Sequence, residues 1–187
     1  NTLPDSYTTK LNDGVYRTVI DRITSLDNPS FFFMHYNNYE VNNLIIVPKC
    51  FFVPDIIEKR KPLADNARRA GWEGCNILLG QVPNFAKIPI VKNGVALNVK
   101  DVCKEYNRVY SLQTHNVEGR GWLLDILNCI EQLDEDFTLK QVYKFVEVLK
   151  RKHPSNNNVE AKIRQQLQFL RDQGIIEFTS RGNYRKV

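Results

Sequence analysis

The last third of this 187-residue chain shows apolar residues at helical spacing in three successive stretches, followed by two short strand-like runs. The predicted elements are a helix over 122–133, a second helix with its apolar stripe over 139–149, a third helix that starts near Asn157 or Asn158, and strands over 175–178 and 184–187. Gly174 is a suitable end for the third helix, because glycine readily adopts the left-handed conformation that closes a helix. Three helices followed by a β-hairpin form the order of a winged helix-turn-helix, so we predict such a domain over 117–187.

The start of the second helix gives the clearest local signal. Thr138 can accept a hydrogen bond from the first helical turn, and Gln141 stands three residues later, as a capping box requires. Phe137 can pack against Val142 as a hydrophobic staple. We therefore predict that this helix begins directly after Thr138.

The outward face of the third helix carries polar side chains suited to base recognition. In a helix-turn-helix domain this helix lies in the major groove, where arginine can bind guanine and glutamine can bind adenine through paired hydrogen bonds. Cations at the tip of the hairpin, the wing, can reach backbone phosphates. The predicted DNA-binding residues are Lys162, Arg164, Gln165 and Gln168 on the helix and Arg181, Asn183, Tyr184, Arg185 and Lys186 on the wing. The same pattern also fits a solvated helix face in a winged helix that binds protein.

Positive charge is concentrated in the same region. The chain has a formal net charge of +5, and residues 150–187 hold nine Lys and Arg against three acids. The net positive charge of this segment is therefore larger than that of the whole chain. Such an excess favours an anionic partner such as nucleic acid. No apolar run is long enough to span a membrane, and residues 1–10 lack the apolar centre of a secretion signal. We therefore predict a cytoplasmic protein with no membrane partner.

The first hundred residues are predicted to form an α/β or α+β domain over 1–113. The predicted elements are a helix over 12–25, strands over 31–36, 44–47, 76–79 and 87–91, and a helix over 99–106. Asn93-Gly94 predicts a hairpin turn. The polar and basic segment 50–72 is predicted to be a surface loop or a short helix, and the polar stretch 114–121 a linker.

The string Arg68-Arg69-Ala70-Gly71-Trp72 is a second candidate for nucleic-acid binding. Its two arginines can hold phosphates, and its large aromatic ring can stack or wedge against bases while the glycine allows close approach. Trp72 fits a core position equally well.

The spacing of cysteines and carboxylates predicts no metal site. The four cysteines lie more than twenty residues apart, whereas zinc ligands usually come in close pairs, so we interpret them as reduced core thiols. A metal-dependent nuclease would need Pro-Asp followed by Glu-x-Lys to hold its metal and activate water. Pro54-Asp55 is followed by Glu58, but the residue two positions further is Arg60, so the match is poor.

Several longer strings carry a family resemblance. They are 31–33, 40–43, 60–64, Ala67-Arg68-Arg69-Ala70-Gly71-Trp72, 120–122, 126–130, Lys162-Ile163-Arg164-Gln165-Gln166-Leu167-Gln168, 175–178 and 184–186. In this order they resemble the Dpn I and dam-replacing family of methyl-directed restriction endonucleases. Because the strings extend over nearly the whole chain, the resemblance is more specific than any single motif.

The resemblance implies a type II enzyme that uses Mg²⁺ to cleave double-stranded DNA at GATC when the adenine carries an N6-methyl group. It implies an amino-terminal nuclease domain and a carboxyl-terminal winged helix that each engage the methylated site. It places Trp72 on the DNA-binding surface of the nuclease domain and adds Arg68, Arg69 and Arg120 to the predicted DNA-binding residues.

The resemblance also places the family's metal-binding carboxylates, catalytic lysine and cysteine-paired zinc motif upstream of the point where this chain begins. No catalytic residue is therefore expected here, and the sequence is interpreted as a fragment or as the ordered part of a longer protein. The chain alone is expected to bind adenine-methylated DNA, as a monomer, without cutting it. The alternatives are a non-catalytic winged-helix DNA-binding regulator, which would dimerise on a symmetric site, and a winged helix used for protein docking.

Overall fold

The structure is a computed structural model that describes residues 10–37, 39–113 and 117–187. The chain divides into two units, Asn1–Gly121 and Trp122–Val187.

Two antiparallel sheets form the amino-terminal unit. Its elements are β1 (Leu11–Val15), α1 (Tyr16–Thr24), β2 (Phe31–Asn37), β3 (Glu40–Val47), β4 (Ile57–Lys59), β5 (Gly74–Ile77), β6 (Ile88–Lys92), β7 (Val95–Ala96) and α2 (Val99–Tyr110), with 3-10 turns at Lys49–Phe51, Pro54–Ile56, Leu79–Gln81 and Asn84–Ala86. One sheet has the strand order β1-β5-β4, and the other has the order β2-β3-β6-β7. Helix α3 (Val117–Glu131) supplies its first residues to this unit.

Aromatic and branched side chains fill the core of this unit. The β2–β3 hairpin buries Phe33, Ile45 and Val47 almost completely. The rings of Phe31 and Phe52 stack with their centroids 4.0 Å apart. Because burial of such a side chain stabilises a fold by about 1.5–3 kcal/mol, this hairpin and the turn that follows it anchor the unit.

Several local predictions for this unit are confirmed. The strands around 31–36, 44–47, 76–79 and 87–91 are present, and so is the helix at 99–106. Asn93 and Gly94 connect β6 to β7 with φ angles of 51° and 78°. Two positive φ angles are what a two-residue hairpin turn of this type requires.

Three predictions for this unit are wrong. The helix predicted from Asn12 begins at Tyr16, because the preceding residues pair with β5 as strand β1. The segment 50–72 is largely buried up to Ile57 and largely exposed only from Lys59. The predicted linker 114–121 is helical from Val117, and residues 114–116 lie outside the described part of the chain.

The carboxyl-terminal unit combines a helical layer with a three-stranded sheet. After α3 its elements are β8 (Asp136–Thr138), α4 (Leu139–Tyr143), α5 (Val146–Lys152), α6 (Val159–Asp172), β9 (Ile176–Ser180) and β10 (Asn183–Lys186). The strand order is β8-β10-β9, with antiparallel pairing throughout. The predicted fold class, a mixed α/β unit followed by a winged helix-turn-helix, is therefore confirmed.

The capping box at the second predicted helix is present. The backbone N–H of Gln141 donates to Thr138 Oγ1 at 3.3 Å, and the Gln141 side chain accepts from the Thr138 backbone N–H at 2.7 Å. The helix itself is divided, because α4 ends at Tyr143 and α5 begins at Val146. Strand β8, directly before the cap, was not predicted, since three residues are too few for an alternating pattern to be visible.

The four cysteines are free thiols, and three of them are buried. Burial raises the pKa of Cys50 to about 12, that of Cys75 to about 11 and that of Cys129 to about 12. Cys103, on α2, is exposed. The prediction of core thiols is therefore wrong for Cys103, which lies on the solvent side of its amphipathic helix.

A buried polar cluster joins α3 to the end of α5. The carboxylate of Asp125, 5% exposed, shares a hydrogen bond of 2.8 Å with His153 Nε2 and forms an ion pair with Lys152. The His153 ring stacks on Trp122, with centroids 3.9 Å apart. Because His153 directly follows α5, this cluster fixes the point from which the chain turns toward α6.

We predict that Asp125→Ala lowers the free energy of unfolding by about 2–3 kcal/mol, because it leaves His153 and Lys152 without their buried acceptor. Urea denaturation followed by far-UV circular dichroism measures the change. Asp134→Ala, at an exposed position, is the matched control and should change stability by less than about 0.5 kcal/mol. Equal stabilities for the two variants would contradict the assigned role of the cluster.

Candidate nucleic-acid interface

A projection between β4 and β5, residues 59–73, is here called the basic arm. Its two sides continue the pairing of the strands from which it extends. The backbone N–H of Arg60 donates to Gly74 O, that of Leu63 to Trp72 O, and that of Gly71 to Leu63 O, each at 3.0 Å. These hydrogen bonds hold the arm as an ordered hairpin and place the predicted Arg68 and Arg69 in its tip.

The basic arm carries an excess of exposed cations. Its only acids are Asp65 and Glu73, and Glu73 is paired with Lys59 at 2.8 Å. The remaining cations, Arg60, Lys61, Arg68 and Arg69, are all exposed. Cations clustered on an ordered, solvent-exposed hairpin suit contact with phosphates.

Trp72 lies half-buried at the base of the arm. A Cβ atom built on Gly74 would lie 2.5 Å from Trp72 Cη2 and 2.7 Å from Cζ3, so the indole occupies the space above that glycine. The ring is therefore neither a core residue nor a freely rotating side chain. Glycine at position 74 is required for this placement.

The structure corrects the assignment of Arg120 to DNA binding. Its side chain is 4% exposed, and its guanidinium donates to Ile23 O at 3.0 Å, to Phe52 O at 3.1 Å and to Lys49 O at 3.4 Å. Burial lowers the pKa of this guanidinium. Arg120 therefore ties α1, the turn after β3 and α3 together inside the amino-terminal unit.

Helix α6 has one apolar face and one polar face. The Asn158 side chain caps its start by accepting from the Ala161 backbone N–H at 3.2 Å. The apolar face is fully or nearly fully buried and consists of Val159, Ile163, Leu167 and Leu170. The predicted site residues Arg164, Gln165 and Gln168 are exposed, and Lys162 is half-buried. The structure thus brings these four predicted residues onto one helix, as the sequence pattern indicated.

Arg164 is held by neighbours that the sequence did not suggest. Its Nη1 donates to the hydroxyl of Tyr143, on α4, at 2.5 Å and lies 4.0 Å from the Glu160 carboxylate. Lys140 and Lys144, also on or next to α4, are exposed and form no ion pair among the described residues. Their spacing of four residues places both on one helical face, and this spacing is visible in the sequence.

The structure also corrects the assignment of Tyr184. It is 6% exposed, its ring stacks on Phe137 with centroids 5.3 Å apart, and Phe178 meets it edge-on at 4.7 Å. Burial raises the pKa of its hydroxyl. Side chains along β10 alternate between the two faces of the sheet, and that of Tyr184 points inward into the core of the wing.

The other predicted wing residues differ in how their side chains are engaged. Arg185 pairs with Asp136 at 2.8 Å, and this hydrogen bond raises its pKa. The ammonium of Lys186 donates to Leu133 O at 2.7 Å. Asn183 Nδ2 donates to Ser180 Oγ at 2.8 Å, which closes the turn. Arg181 is exposed at the tip, and its side chain has no ion-pair partner among the described residues.

The described part of the chain contains neither a three-ligand metal group nor a helix suited to a bilayer. No group of three His, Cys, Asp or Glu residues is arranged to hold a metal ion within residues 10–37, 39–113 and 117–187. Glu58, the residue nearest to a nuclease motif, pairs with Lys10 and accepts from Asn76 at 2.6 Å, and the hydrogen bond from Lys10 lowers its pKa. None of the helices in these ranges has both the length and the apolar character needed to cross a bilayer.

Together, these features define a class of protein: a mixed α/β unit joined to a winged helix-turn-helix domain with an exposed polar recognition face. A model of the Dpn I, Dam-replacing family matches residues 4–115, and a model of the Dam-replacing HTH domain matches residues 118–186. Because the first match alone covers more than half of the sequence, this chain belongs to the Dam-replacing family. The family is one of restriction endonucleases, and its helix-turn-helix domain identifies DNA as the partner.

We predict that Gly74→Ala displaces the Trp72 ring and lowers the free energy of unfolding by about 1–3 kcal/mol, because the new methyl group overlaps the indole. The ¹H–¹⁵N spectrum should show a shifted Trp72 indole signal, whereas the buried Trp122 indole serves as the internal reference. Gly14→Ala is the matched control, since no atom lies within 4 Å of a Cβ built there. An unmoved Trp72 signal in Gly74→Ala would show that the glycine does not position the ring.

Proposed function

We propose that this chain is the DNA-recognition part of a type II restriction endonuclease that acts on double-stranded GATC sites carrying N6-methyladenine. The observation that carries the proposal is the outward face of α6, on which Arg164, Gln165 and Gln168 are exposed while the opposite face is buried. Family membership supports the same reading of the helix.

The chemistry of this face fits the proposed sequence. Arginine can donate two hydrogen bonds to guanine O6 and N7, and glutamine can pair with adenine N6 and N7, in the major groove. GATC presents one guanine and one adenine on each strand, so Arg164 and Gln165 match the bases available. Arg181, at the wing tip, is suited to a phosphate contact that orients the helix.

Recognition of the methyl group is assigned to the amino-terminal unit. The added methyl group offers apolar area in a polar groove, and an aromatic ring is the side chain that best covers it. Trp72 is held over Gly74 with part of its surface accessible, and Arg68 and Arg69 lie shortly before it in the chain. We propose that Arg68 and Arg69 bind phosphates while Trp72 contacts the methylated adenine.

Hydrolysis is assigned to residues other than those described. The family's activity implies Mg²⁺, and the resemblance implies a structural zinc, but the carboxylates and cysteines described here form no group that fits either ion. We therefore propose that this chain binds DNA as a monomer without cutting it, and that the metal ligands of the parent nuclease lie outside the described residues.

The full chain should bind a fully methylated GATC duplex about fourfold more tightly than the unmethylated one, because a monomer has one Trp72 to cover one methyl group and burial of that group is worth about 0.8 kcal/mol. Fluorescence anisotropy at fixed moderate salt measures the dissociation constants, with a scrambled duplex as the third substrate. Trp72→Ala should remove most of the difference. Equal binding of all three duplexes would contradict sequence and methyl recognition, and absence of binding at low salt would favour the protein-docking alternative.

Phosphate and base contacts should separate by their salt dependence. Arg181→Ala should weaken binding to every duplex about equally and reduce the slope of log K against log salt by about one. Gln165→Ala should instead reduce discrimination between GATC and scrambled DNA and leave the slope unchanged. Arg17→Ala, at an exposed position on α1, is the matched control for loss of one surface charge. An unchanged slope in Arg181→Ala would exclude the wing tip from the phosphate contacts.

A further inference from the structure

The hydroxyl of Tyr143 lies where α4 meets the exposed face of α6. Arg164 Nη1 donates to it at 2.5 Å, whereas the carboxylate of Glu160 on the same helix as Arg164 is 4.0 Å away. Tyr143 is half-buried, and the Arg164 side chain is 52% exposed. The tyrosine therefore contacts the guanidinium from the protein side and leaves its solvent side open.

The wing contributes a third group to this location. Burial is the main cause of the raised pKa of the Tyr184 hydroxyl, the neighbouring Tyr143 raises it further, and Arg164 opposes the shift. Tyr143 and Arg164 are therefore within electrostatic range of the Tyr184 hydroxyl, although the three residues belong to α4, α6 and β10.

The geometry of arginine makes such a contact consequential. A guanidinium is a rigid plane with five N–H donors, so a hydrogen bond to one nitrogen limits the orientation of all the others. An exposed arginine without this restraint loses rotamer freedom when it binds, which weakens binding. A side chain that is already oriented avoids part of that loss.

Tyr143 is itself well fixed. Helix α4 is only five residues long, but it starts at the Thr138–Gln141 capping box and buries Val142 completely. The Tyr143 backbone therefore cannot follow movements of the Arg164 side chain.

We infer that Tyr143 is a positioning residue for base recognition: its hydroxyl holds the plane of Arg164 in the orientation that donates two hydrogen bonds to a guanine in the major groove. This inference rests on the proposed function, because it assumes that α6 enters the groove. It adds a residue on α4 that contacts no base and yet determines sequence discrimination.

The ion pair between Glu160 and Arg164 is the competing explanation for how the Arg164 side chain is oriented. It precedes Arg164 by four residues and forms a longer contact, which is typically weak on an exposed helix face. Glu160→Gln removes its charge and retains the Tyr143 hydroxyl. Tyr143→Phe removes the hydroxyl and retains both the ring and the Glu160 charge. The pair of variants separates the two interactions.

The test measures binding of the full chain to methylated GATC and to a duplex in which both G·C pairs of the site are replaced by A·T. Tyr143→Phe should lower the ratio of the two affinities about 3- to 10-fold, the effect of one net hydrogen bond, with the salt slope unchanged. Glu160→Gln should leave the ratio within about twofold, as expected for an exposed helical ion pair. In the Arg164→Ala background, Tyr143→Phe should have no further effect.

A measurement on the free protein tests the contact without DNA. The Arg164 guanidinium should show slowed rotation about its C–N bonds by ¹⁵N-detected NMR, and this slowing should be lost in Tyr143→Phe. Arg164→Lys, which keeps the charge but lacks the planar donor pair, should retain the salt slope and lose discrimination.

The outcomes distinguish failure of the inference from failure of the proposed function. If Arg164→Ala lowers discrimination and Tyr143→Phe does not, the inference is wrong and the groove placement of α6 stands. If Tyr143→Phe acts equally in the presence and absence of Arg164, its effect is merely structural and the inference is also overturned. If Arg164→Ala leaves discrimination unchanged, the proposed guanine contact itself is wrong.

Discussion

The carboxylate of Asp125 is the buried charge around which the carboxyl-terminal domain is arranged. An ionised carboxylate inside a protein must be paired, since its desolvation otherwise costs several kcal/mol. Asp125 meets this requirement through Lys152 and His153, which lie at the end of α5, and the His153 ring stacks on Trp122. The position of the turn between α5 and α6 is therefore set by an interaction whose loss would lower the stability of the domain. Helix α6 starts from this fixed point, and its four buried apolar residues then determine which side chains face outward.

The amino-terminal unit uses the same physical principle with the opposite charge. Arg120 places its buried guanidinium among backbone carbonyls of two segments, α1 and the turn after β3, and donates to Ile23 O, Phe52 O and Lys49 O. In both units the buried charges are structural, whereas Arg68 and Arg69 of the basic arm and Arg181 of the wing tip are exposed and available to an anionic partner. This division explains why burial, and not charge alone, separates structural from candidate DNA-binding residues.

The sequence predicted the features whose causes are local. The helical spacing of α6, the capping box at Thr138 and the Asn93-Gly94 turn each depend on residues within one or two turns, and all three are present. Arg120 was assigned to the DNA from the family resemblance and Tyr184 from its place in the wing, but both side chains are buried by partners far away in the chain. Tyr143 was missed for the same reason, since its link to Arg164 spans 21 residues. The break between α4 and α5 was also not predicted, because neither glycine nor proline lies between these two helices.

In the proposed function, Trp72 on the basic arm and the outward face of α6 each contact the methylated DNA. Hydroxyl-radical footprinting of the full chain, free and bound to fully methylated GATC DNA, tests this claim directly, because it reports the accessibility of individual side chains. Trp72 and the residues of the outward α6 face should lose reactivity together on binding, while the buried Trp122 should show the same low reactivity in both states. Protection of the α6 face with Trp72 fully reactive would contradict the assigned methyl contact, and protection of neither would contradict the account as a whole.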